Sequence, residues 1–157
     1  MKGNELLLPG KDLKDFLQAI LAKGTPCRFQ AKGYSMSPFI RDGDIITVFP
    51  LKKSSFDLGR VVAYSQPETQ KLIVHRIIGN SAGYFLIRGD NIFGSGELVP
   101  KTNVLGHVGR IERYGRRVFI GVGPERFLIV LLIRLKIIRL LRPLSKIILP
   151  FLKRIAS

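Results

Sequence analysis

The sequence predicts a mainly β protein: an antiparallel β structure coiled into a partly open barrel, with one amphipathic helix before it and basic amphipathic helices after it. Three observations carry that expectation. Between residues 27 and 120, about seven short apolar runs follow one another with turn-forming residues between them and no helical period. Sixteen glycines and nine prolines supply the punctuation. Both ends of the chain instead repeat apolar residues every three or four positions, as a helix face does. A length of 157 residues suits one domain with a modest core. At 46% hydrophobic and 24% charged, the chain is too apolar for a disordered basic tail. Its single cysteine, Cys27, excludes an internal disulfide, a four-cysteine zinc site and a paired redox motif.

Residues 1–25 form a first, helical segment. Leu13, Phe16, Leu17, Ile20 and Leu21 share one helix face, and Gly24 is the expected stop. The apolar run before them, Leu6-Leu7-Leu8, is only three residues long, and Lys11, Asp12, Lys14 and Asp15 follow it. The segment therefore reads as a helix packed on the domain, not as an export signal or a bilayer span.

Residues 26–122 form the β-rich domain. Strands are expected at 28–31, 45–49, 60–64, 72–78, 84–88, 104–114 and 117–120. Turns are expected at Asp42-Gly43-Asp44, Leu58-Gly59, Gln66-Pro67-Glu68, residues 80–83, Gly94-Ser95-Gly96 and Tyr114-Gly115.

Residues 123–157 differ in charge and in greasiness. The net charge of the chain is +15, and eight of its 26 basic residues, with no acidic one, fall between Arg126 and the last residue. Residues 1–125 hold the other 18 basic and all 11 acidic residues, a net +7. The longest uncharged run in this tail is the seven residues from Phe127 to Ile133, far short of the about 20 a bilayer span needs. From Arg134 onward, Arg134, Lys136, Arg139, Arg142 and Lys146 gather within an arc of roughly 200°, with Ile133, Ile137, Leu140 and Leu141 opposite. The pattern fits a helix pair, broken at Pro143, lying on an anionic membrane surface. A helix that caps the β core is the alternative. A nucleic-acid arm would be polar, so no nucleic-acid partner is expected.

The chemistry-bearing stretch is Gly33-Tyr34-Ser35-Met36-Ser37-Pro38, running into Asp42-Gly43-Asp44. A serine between a glycine and a proline sits on a sharp turn with its hydroxyl exposed, and Met36 and Phe39 offer it an apolar floor. His75 lies forty residues on, inside the apolar strand Leu72-Ile73-Val74-His75-Arg76-Ile77-Ile78. Gly89-Asp90-Asn91 follows. A serine hydroxyl needs a base to become a nucleophile at neutral pH, and an imidazole with a pKa near 6.5 is such a base.

In this order and spacing the three segments resemble the active-site boxes of type I signal peptidases and the related self-cleaving LexA-type repressor peptidases. The resemblance covers roughly residues 26–120 and is to the branch that uses histidine as base. It implies the signal peptidase/LexA-like fold and a Ser35–His75 dyad, extended to a triad by Asp90. It also assigns Gly33, Met36 and Pro38 to the oxyanion and substrate-binding region. Asn91 or Glu97 stands as a further orienting residue. Many relatives carry a serine where this chain has Gly33, so the Ser35 N–H supplies one oxyanion donor and the second is unassigned. Relatives are anchored by an N-terminal span, whereas the membrane-like segment here is C-terminal.

The expected function is a membrane-associated serine endopeptidase, peripheral or monotopic, that cuts a peptide or precursor protein at small residues and needs no cofactor or metal. The alternative is an inert or self-cleaving regulatory module, although only about 25 residues precede the β domain, too few for a helix-turn-helix. The cytoplasmic face is the default location because no export signal precedes the domain; the resemblance favours the external face. His107 reads as structural and Cys27 as a small core residue.

Overall fold

The computed structural model describes residues 10–51 and 57–135, so of the helices expected at 127–141 and 144–155 only the start of the first falls within the described residues. Helix α1 spans Gly10–Ala22. Its apolar face buries Leu17 and Leu21 and rests Phe16 and Ile20 on the same core. The helix ends where expected: Gly24 takes a φ of 75°, open to glycine at little cost, and its N–H donates to Leu21 O at 2.9 Å.

Eight strands follow among the described residues. They are β1 (Cys27–Gln30), β2 (Ile45–Pro50), β3 (Val61–Ser65), β4 (Leu72–Asn80), β5 (Tyr84–Arg88), β6 (Glu97–Pro100), β7 (Val104–Arg113) and β8 (Arg116–Val118). All pair antiparallel in one open sheet of order β1-β2-β7-β3-β4-β5-β6, with β8 on the end of β7. The seven expected strands are present within a few residues. The additional strand, β6, directly follows the turn expected at 94–96, where no strand was expected. Strand β7 is the hub, pairing β3 near its start, β2 along its middle and β8 at its end. Register breaks in β2, β3 and β4 bend the sheet.

The sheet is sharply curled. Tyr64 on β3 and Glu97 on β6 are three strand spacings apart, about 14 Å on a flat sheet, yet their side chains meet at 2.9 Å. Curling separates two cores. One lies under α1 and holds Leu17, Leu21, Ile46, Val48, Val61 and Ile111. The other fills the concave face with Val62, Tyr64, Ile77, Phe85, Ile87 and Val99.

Helix α2 (Arg126–Arg134) buries Ile129, Val130 and Ile133 against Ile78, with Leu86 and Phe39 beside them. The run from Phe127 to Ile133 carries no charge on any side. In the fold one side covers the β domain, while Phe127, Leu128, Leu131 and Leu135 stay more than half exposed. Arg88 on β5 donates to Ile133 O at 2.9 Å, tying the helix end to the sheet. Among the described residues, no helix is long and apolar enough to cross a membrane.

Candidate active site

The serine segment folds as compact turns. Ser37 N–H donates to Tyr34 O at 3.2 Å, and the N–H groups of Phe39 and Ile40 donate to Met36 O at 3.2 and 3.1 Å. Asp42 closes the loop by accepting the Gly33 N–H at 2.7 Å. Asp44 is buried and takes two hydrogen bonds from Arg113, at 2.8 and 2.7 Å, and one from the Arg41 N–H at 2.8 Å. Both aspartates thus build the turn, as the sequence suggested.

Two assignments change here. Met36 is only 4% exposed and belongs to the core under α1, because the turn that lifts Ser35 drives the next side chain inward. Met36 does not line a binding surface. Gly33 has its N–H committed to Asp42, so it offers no donor to an oxyanion. Pro38 is half-buried, and its carbonyl accepts a long bond from Arg41 Nε at 3.4 Å. Ser35 itself is half-buried, and its N–H makes no hydrogen bond among the described residues.

The 89–91 turn docks directly on this loop. Asn91 N–H donates to Ser35 O at 2.8 Å, and Asn91 Nδ2 donates to Tyr34 O at 2.9 Å. Gly89 permits the approach, since a β-carbon there would stand 2.7 Å from Ser35 O. Asn91 therefore anchors the serine turn and does not orient His75. Arg88 pairs with Arg76 across the β4–β5 ladder, so the chain leaving β5 comes level with His75 at Gly89. The register thus carries the backbone of Ser35 to the height of His75. No hydrogen bond joins the Ser35 hydroxyl to His75 among the described residues. Such bonds are often long before substrate binds.

Asp90 is not a partner of His75. Successive side chains on a strand point to opposite faces, so His75 and Arg76 face apart. Asp90 lies on the Arg76 side. Arg76 Nε donates to Asp90 Oδ1 at 2.7 Å and Nη2 to Oδ2 at 2.8 Å, with both side chains sealed from solvent. Arg76 Nη1 also donates to Gly59 O and Gly121 O, at 2.8 and 2.9 Å, and its guanidinium lies 5.6 Å from the Phe39 ring centroid. Burial raises the Asp90 carboxyl above its ordinary value, against the pull of Arg76. The triad expected from the motif is replaced by a structural ion pair that clamps the Asn91 turn.

His75 faces the concave core. It pairs with Val62 on β3, and its Nδ1 lies 3.4 Å from the Tyr64 hydroxyl. Tyr64 OH in turn donates to Glu97 Oε2 at 2.9 Å. Burial alone lowers the His75 imidazole from 6.5 to about 4, so it is neutral at pH 7. The Tyr64 hydroxyl is pushed up by burial first and by Glu97 second, and stays protonated. Glu97, one of the two orienting candidates, reaches His75 only through Tyr64.

Tyr64 and the clamping role of Arg76 escaped the sequence reading. One signal was present: a tyrosine in an otherwise apolar strand needs a buried partner for its hydroxyl. Among the remaining residues, His107 stacks on Phe49 at 5.9 Å and Cys27 is buried, its thiol pushed up by burial. No trio of histidine, cysteine or acidic residues among those described is placed to hold a metal. No family model matches the chain, and no curated protein matches it.

Proposed function

We propose that this protein is a serine endopeptidase of the signal peptidase-like kind, with Ser35 as nucleophile and His75 as base. The observation that carries the reading is the docking of the Ser35 turn on the 89–91 turn, level with a buried neutral imidazole. Ser35 Oγ attacks the scissile carbonyl as its proton passes to His75; the imidazolium then protonates the leaving amine, and water hydrolyses the acyl-enzyme. The Ser35 N–H serves as one oxyanion donor. The substrate is an extended peptide with small side chains near the cut, added as a strand beside the site. A fluorophosphonate or boronate probe tests this. Labelling of Ser35 is expected in wild type and lost in His75→Ala; labelling that ignores His75 contradicts the dyad.

The same proposal places the enzyme on an anionic membrane surface. The outward Phe127, Leu128 and Leu131 of α2, with Leu135 just after it, favour it, since each apolar side chain buried in lipid contributes about 1.5–3 kcal/mol. The basic residues beyond add about 1 kcal/mol each near anionic lipid. Because α2 packs on the sheet, the informative truncation ends at Leu135 rather than before the helix. The full chain should float with anionic liposomes more strongly than this truncation, and equal flotation would remove the role of the basic tail.

A further inference from the structure

Tyr64 has one hydroxyl proton, and Glu97 Oε2 receives it at 2.9 Å. Toward His75 Nδ1, at 3.4 Å, the phenolic oxygen can then only accept. An imidazole that donates through Nδ1 carries its proton there, and its lone pair sits on Nε2. The three residues come from β4, β3 and β6, and they meet only because the sheet curls. Tyr64 is fully buried, with its ring 6.2 Å from that of His75 and tilted by 51°, so the hydroxyl has little freedom to turn elsewhere.

We propose that Tyr64 and Glu97 are positioning residues that hold His75 in its Nδ1–H tautomer, leaving Nε2 to take the Ser35 proton. The inference rests on the Ser35–His75 reading for its catalytic meaning. It assigns the orienting role, which the motif gave to Asp90, to a neutral phenol with a carboxylate one step behind it. The arrangement differs in kind from a carboxylate placed on the imidazole. A direct carboxylate would hold the imidazolium and raise the histidine; a phenol orients the ring without adding charge beside it. That matches a His75 lowered by burial with no carboxylate counteracting it.

The experiment is ring-¹⁵N NMR of the full chain at neutral pH, with probe labelling rates measured alongside. Wild type should show Nδ1 protonated and Nε2 bare at His75. Tyr64→Phe keeps the ring and removes the acceptor; it should move the population toward Nε2–H and slow Ser35 labelling about tenfold, the weight of one hydrogen bond. Glu97→Gln should act in the same direction, because the amide N–H₂ can donate to Tyr64 and release the phenolic proton toward Nδ1. Should Tyr64→Phe fail to fold, Glu97→Gln carries the test. A wild-type Nε2–H tautomer, or one that neither substitution shifts, overturns the relay. A shifted tautomer with unchanged labelling overturns its positioning role. Full labelling of a Ser35→Ala chain would instead sink the peptidase reading, while a Tyr64-dependent tautomer would still uphold the hydrogen-bond relay.

Discussion

His75 and Arg76 are neighbours on β4, yet they sit in opposite kinds of surroundings. Arg76 has four of its five N–H groups engaged: a carboxylate on two of its nitrogens and two carbonyls on the third. His75 has one long hydrogen bond, and its Nε2 has no partner among the described residues. Both are buried, so both carry a desolvation cost. On one face that cost is offset by charge and geometry, which is how a scaffold is made rigid. On the other it is left in place and shows as a depressed pKa, which suits a base with spare valence.

Substitution on each face should separate the two. The largest effect is expected at His75→Ala, where acylation of Ser35 should fall by about three orders of magnitude or more, with thermal stability changed far less. A rate within tenfold of wild type would mean that the imidazole is not the base. Next is Asp90→Ala, which strands the Arg76 charge and should cost about 3–5 kcal/mol of stability by denaturant titration. Replacing both partners with apolar residues, Arg76→Met with Asp90→Leu, should recover much of that loss. If the single change is as mild as a surface mutation, the pair is not the clamp described.

Acid provides a milder probe of the His75 face. The folded imidazole titrates at about 4 and the unfolded one near 6.5, so between those values the unfolded chain binds a proton that the folded chain does not. The stability contributed is full above pH 6.5 and is lost as pH falls toward 4, by about 3 kcal/mol in total. Unfolding titrations at pH 7 and pH 4.5 should show this slope in wild type and a shallower one in His75→Gln. At pH 5, Ser35 labelling should persist, because the base is still neutral there. The smallest effect is expected at Asp42→Ala, which removes the acceptor of the Gly33 N–H and should cost about 1 kcal/mol. A loss of more than about 3 kcal/mol would mean that Asp42 supports more than this turn.

Much of this is legible in the amino-acid sequence. The strands from 45 to 88 follow from short apolar runs set between turn residues, and the α1 face from its 3.6 period, because both are local properties of a chain. The missed strand β6 follows Gly94-Ser95-Gly96, whose glycines at 94 and 96 both take positive φ, so the turn signal masked the four residues beyond it. The serine segment is also legible, since Gly33 and Gly43 in the aspartate turn both take positive φ, a demand of local backbone geometry.

What the sequence by itself determined is the set of parts: a turn presenting Ser35, an apolar strand carrying His75, and a Gly89-Asp90-Asn91 turn after β5. Tertiary structure alone decided which parts touch. Asp90 meets Arg76 rather than His75, and Met36 faces the core rather than a substrate. The physical reason is that a motif records spacing along the chain, whereas partnership depends on strand register and on which face of the sheet a side chain occupies. Tyr64 and Glu97, 33 residues apart, share a hydrogen bond only through the curl of the sheet between β3 and β6, and no local pattern encodes that.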